Sequence, residues 1–170
     1  MADQVYELTR DEALREIVRA QKEERVPMLD GANLSRTDLS RSDLSGGSIR
    51  EADLSAANLS KAYLYGAYLH KANLSGANLS CANLSKALLI GVNLRGANLR
   101  GTNLRASDLH GTDLAGVNLS GADLSKTNLV GADLVGANLS KADLVGADLS
   151  RANLSGANLT RASLSISCLS

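Results

Sequence analysis

The chain predicts an all-β solenoid, a square coil of roughly seven turns preceded by one α-helical cap. Three observations carry this. Leucine recurs at every fifth position from Leu29 through Leu169, with Ile49 the exception. The residue two before each leucine is small or β-branched from Ala32 to Ser167. With four tyrosines, no phenylalanine, no tryptophan and fifteen glycines, the core has to be leucine and alanine, not rings that each bury ~150–250 Å².

A period of five excludes the simple elements. On a helix five residues turn ~500°, so the leucines would spiral over the whole surface. On a long strand the odd spacing would send successive leucines to opposite faces. A short extended segment that points both apolar residues inward and then turns a corner satisfies the pattern, with Gly and polar residues at the corner. Four corners close a coil of roughly twenty residues, and stacked coils pair their backbones at ~4.8 Å. In so narrow a core the alanine position is expected to accept little extra volume.

The lead-in, residues 1–30, reads differently. Thr9-Arg10-Asp11-Glu12 is a capping-box sequence, with Leu8 and Ala13 as its staple. Asp11 and Glu12 suit the positive end of a helix, and Lys22 and Arg25 the negative end. Ala13, Leu14, Ile17, Val18 and Gln21 form the expected inner face. Pro27 limits continuation, so the helix should span about residues 10–24. Its expected role is to cap the open N-terminal end of the coil, whose domain runs over 31–170.

The repeated phrase, plainest as Ala-Asn-Leu-Ser-Gly at Ala72–Gly76 and Ala152–Gly156, resembles the pentapeptide repeat family, and in particular members from cyanobacteria. The resemblance covers nearly all of 31–170. It implies a right-handed quadrilateral β-helix. It also implies an alternative function, since some members mimic duplex DNA and bind type II topoisomerases such as DNA gyrase, inhibiting or protecting them. Those members look strongly acidic along their sides; residues 31–170 here carry thirteen basic and ten acidic side chains.

Where the repeat is broken outward, three surface features emerge. Tyr63, Tyr65 and Tyr68, with His70, Leu88 and Ile90, make a candidate protein-binding patch, or stack between coils to stabilise them. Arg95, Arg100 and Arg105 form a belt around one coil, a candidate for binding anions, although three successive sides point them apart. Asp113 with Asp133, and Asp123 with Asp143, could hold a hard cation or simply satisfy turn backbone. At the C-terminal end, Leu164, Ile166, Cys168 and Leu169 form a candidate end-to-end contact for a homodimer.

Other chemistry is disfavoured. Cys81 and Cys168 fall more than four coils apart and cannot bridge. His70 and His110 are two coils apart, too far to share a metal. The glycine spacing of Gly111, Gly116 and Gly121 lacks the Gly-Lys-Ser/Thr of a phosphate loop, and the Asn-Leu-Ser triplets are by-products of the repeat. No nucleophile, base and oxyanion donor converge, and a filled core leaves no ligand pocket; no cofactor or metal is expected. Zero net charge argues against direct nucleic-acid binding. Without an apolar signal segment, and with apolar runs as short as Ala87–Ile90, the expectation is a cytoplasmic protein off the membrane. The function expected is a non-enzymatic rigid scaffold or protein–protein interaction module with an unknown protein partner.

Overall fold

A computed structural model describes residues 8–165. Each five-residue unit makes one side of a square coil, and residues twenty apart are joined by parallel bridges from Met28↔Ser48 to Asp143↔Ser163. The four sides are called faces A, B, C and D, after the bridged columns that begin at Met28, Asn33, Asp38 and Asp43.

The backbone explains the phrase letter by letter. In the unit Ala57–Lys61 every N–H has an acceptor. Ala57 closes the preceding turn onto the Leu54 carbonyl, 3.0 Å, and Asn58 donates down to Thr37, 2.9 Å. Leu59 donates up to Asn78, 2.7 Å, and Lys61 donates up to Ser80, 2.9 Å. The remaining N–H, on Ser60, donates to the Asn58 side-chain oxygen at 3.2 Å. Asn or Asp therefore precedes leucine because the coil-to-coil ladder leaves one donor per unit unclaimed, and a short side-chain acceptor two residues back takes it. The second residue after leucine has positive φ throughout, for example Gly76 at 65° and Lys61 at 59°. That sign at the third residue of a four-residue turn is the type II pattern, which glycine fits without steric cost.

The core is a column of stacked leucines. From Leu29 to Leu149 each is at most 2% exposed, with Ile49 among them. Full burial of one such side chain contributes ~1.5–3 kcal/mol. The small inward position takes more than alanine: Val92, Thr102, Thr112, Val117 and Thr127 are all buried there. The hydroxyls of Thr102 and Thr127 donate to the Leu79 and Leu104 carbonyls at 2.8 and 2.9 Å, so these buried polar groups are satisfied. Volume has one visible consequence. Val92 and Thr112, both β-branched, lie directly over one another on face B. There the bridge between Asn93 and Asp113 is missing, while every other pair in the series from Met28 to Ser163 is bridged.

Helix α1 (Arg10–Lys22) begins with the expected capping box: the Glu12 N–H donates to the Thr9 side chain and the Thr9 N–H to the Glu12 carboxylate. It ends at Lys22, two residues before the expected limit. The inner face is Ala13, Ile17 and Ala20. Val18 points outward, 64% exposed, Gln21 is exposed and Leu14 half-buried. The expected face was rotated because Leu14 and Val18 match helical spacing as well as Ala13 and Ile17 do. The alanines permit closer approach to the leucine column, whose cluster includes Ala13 and Ile17. Arg25 clamps Glu16 through two contacts, 2.6 and 2.9 Å, and Glu16 also accepts from the Met28 N–H at 3.1 Å. Pro27 is buried beside Gly47, where a Cβ would lie 2.9 Å from the Pro27 ring.

Candidate functional site

The register sorts side chains by chemistry. Leucine and the small residue face in, so only three positions per unit meet a partner: the Asx position on the flat face, and the two corner residues after leucine. All thirteen Lys and Arg between residues 31 and 170 occupy corner positions, and all nine Asp of that segment occupy the face position. This separation is readable from the sequence once the register is known, but net charge conceals it.

The tyrosines break the pattern. Tyr63 stands on face D, Tyr68 on face A, and Tyr65 on the corner between them, at 54, 40 and 46% exposure. Ile90, 38% exposed, extends the patch to the next corner; Leu88 stacks on Tyr68 and is half-buried. His70 is half-buried, and its Nδ1 is occluded without a partner. The rings do not stack on one another. Instead the Arg50 guanidinium lies 5.3 Å from the Tyr68 centroid, and the Lys86 ammonium 5.4 Å from that of Tyr65. Such contacts contribute about 0.5–1 kcal/mol at exposed sites. Against this, Tyr63, Tyr68 and Leu88 occupy Asx positions and supply no acceptor to the N–H groups of Tyr65, His70 and Ile90.

The remaining candidates are less convergent. Arg95, Arg100 and Arg105 are exposed on three successive corners; Arg105 donates to Ser125 at 3.2 Å, and the three do not meet on one anion. The stacked aspartates serve their own turns: Asp113 and Asp133 accept from Ala115 and Val135 at 3.0 and 3.1 Å, Asp123 and Asp143 from Ser125 and Val145 at 2.9 and 3.0 Å. Among the described residues no group of three or more His, Cys, Asp or Glu could hold a metal. The same bond holds the Asp38 carboxyl below the ordinary carboxylate range, through the Ser40 N–H first and then the Ser40 hydroxyl. Cys81 is an exposed free thiol. Leu164 is half-buried at the last described coil; Ile166, Cys168 and Leu169 lie outside the described residues.

A solenoid of stacked square coils with an Asx-closed turn at most corners is the architecture of a repeat protein whose working parts are surfaces. Eight copies of the family described as pentapeptide repeats match within residues 28–165, and the chain belongs to that family, with its right-handed quadrilateral β-helix. Among solved structures, HetL is 35% identical with a TM-score of 0.50, covering 85% of this chain and 77% of its own. HetL is a pentapeptide repeat protein involved in heterocyst differentiation regulation from the cyanobacterium Nostoc sp. strain PCC 7120. A pentapeptide repeat protein from the Arabidopsis thaliana thylakoid lumen is 34% identical over 58% of this chain and 65% of its own, TM-score 0.44. QnrB1, a plasmid-mediated fluoroquinolone resistance protein, is 20% identical over 85% of this chain and 84% of its own, TM-score 0.40. Comparison with curated proteins found no match. Among the described residues no helix is long and apolar enough to cross a membrane.

Proposed function

We propose that this chain is a non-enzymatic scaffold that docks a protein partner through Tyr63, Tyr65 and Tyr68, with Leu88 and Ile90 at the margin. The observation that supports this is the side-chain exchange itself. At Tyr63 and Tyr68 the unit gives up an acceptor that the fold uses almost everywhere else, and gains an exposed ring. An amphipathic ring on a rigid frame gives a partner contact area at low entropic cost. Changing Tyr63→Asn, Tyr65→Ser and Tyr68→Asn restores the repeat at all three positions. The triple variant should keep or raise its melting temperature while losing the partner that the wild-type chain retains on affinity capture. Undiminished capture by the folded variant would sink the reading.

Self-association belongs to the same proposal. Leu154, Leu159 and Leu164 on the last described coil are packed against the core yet only partly buried, so a second copy could cover them. Sedimentation across a wide concentration range tests this, and a strict monomer counts against it. DNA mimicry predicts inhibition or protection in a gyrase supercoiling assay. With every cation of the repeat standing on its corners, no effect is expected.

A further inference from the structure

The four corners are not alike. The corner between faces C and D carries Arg41, Lys61, Arg100, Lys141 and Arg161, all exposed, and no acidic residue. These five cations lie along one edge, Arg100 at the first corner position and the other four at the second, from Arg41 to Arg161 over six coil steps, or roughly 29 Å. Face C beside them is also distinct. After Asp38 its column is asparagine at every coil, Asn58 through Asn158, whereas faces A, B and D each carry two or more aspartates. The nearest carboxylates on the other flank are Asp43, Asp123 and Asp143, round the corner on face D.

The edge also has relief. Arg100 and Lys141 flank a shallow groove whose floor is Asn118, Ser120, Gly121, Asn138 and Ser140. The groove exists because the coil between the two cations ends in Ser120-Gly121. Gly121 has φ 66°, and a Cβ there would meet nothing within 4 Å. The floor is neutral and offers hydroxyls and amides, so an anion laid along it meets cations at both ends and no like charge.

We infer that the corner between faces C and D binds an extended acidic segment of a protein partner, on a surface separate from the tyrosine patch. A polypeptide is favoured over nucleic acid on two grounds. Face C has no aromatic residue for base stacking, and aspartates on faces A, B and D would repel a polyanion broad enough to reach round the rod. An extended peptide of about nine residues spans the edge at ~3.3 Å per residue.

The test is fluorescence anisotropy with a labelled peptide of about nine glutamates, and with a labelled oligothymidylate of equal length. The variant Lys61→Gly/Arg100→Ser/Lys141→Gly removes three edge charges and moves each position toward the repeat: Lys61 and Lys141 have φ 59° and 61°, which glycine prefers. The control Arg105→Ser/Lys126→Gly/Arg151→Gly removes the same charge from the other corners. The expected result is salt-sensitive peptide binding that weakens at least roughly tenfold in the edge variant and stays within about twofold in the control. Absence of peptide binding by the wild-type chain, or equal weakening in the control, overturns the inference. Tighter binding of oligothymidylate that the edge variant abolishes also overturns it, in favour of a nucleic-acid surface. None of these outcomes depends on the tyrosines, so this inference and the docking proposal fail separately.

Discussion

Each residue of the repeat answers a local constraint, and the corner residue with positive φ does so at a measurable cost. Glycine fills that position at many corners, but Lys, Arg, Glu, Cys and Ala stand there too, Ala56 and Ala106 at φ 54° and 56°. A side chain in the left-handed region costs roughly 1 kcal/mol relative to glycine. Lysine and arginine at least place charge on the edge in return; alanine places nothing. Ala106→Gly should therefore raise stability by up to about 1 kcal/mol, the left-handed strain relieved less the entropy that glycine adds to the unfolded chain, read as a higher midpoint in urea melts; a lower midpoint would show that the turn is not strained there. The leucine and alanine positions were legible in the sequence because the inward leucine is buried at every unit from Leu29 to Leu149, Ile49 included. The Asx position was legible only as a preference, since its reason, one orphan N–H per unit, appears when the coil-to-coil bonds are counted.

At the scale of the element, α1 is held over the first coil by one ionic clamp and a small-residue face. The Arg25 guanidinium, with help from the Met28 N–H, lowers the Glu16 carboxyl from 4.5 to about 2. The unfolded chain thus binds the proton more readily than the folded one. The clamp's contribution is fully present above about pH 4.5 and is lost as pH falls toward about 2. Glu16→Gln should be less stable than wild type at neutral pH, and the two melting curves should converge below about pH 3. Parallel acid limbs would mean that the clamp contributes nothing to holding the helix. The helix, its cap and its start were readable from Thr9 to Glu12. Its inner face was not, because two apolar stripes differ by one residue and only the approach distance to the leucine column chooses Ala13, Ile17 and Ala20.

At the scale of the whole molecule, a coil touches only its neighbours, so defects should stay local. The seam between Asn93 and Asp113 is the place to see this. The sequence announced a tight alanine column but not which enlargements matter. Val117 and the buried threonines Thr102 and Thr127 stack on Ala or Ser and keep their bridges. Val92 under Thr112 is the pair in which two β-branched residues meet, and there the Leu94 N–H finds no acceptor in the next coil, while the Leu99 N–H reaches Asn118 at 2.9 Å. Hydrogen exchange should therefore be faster at Leu94 than at Leu99. Val92→Ala removes the crowding, so it should slow exchange at Leu94 toward the Leu99 rate and leave Leu34 unchanged. Its stability cost should fall well short of the ~1.5–3 kcal/mol that burying a valine otherwise contributes, because part of that burial is spent holding two coils apart. Equal protection at Leu94 and Leu99 in the wild-type chain would show the seam to be closed in solution. A change at Leu34 on substituting Val92 would show instead that strain travels the length of the rod.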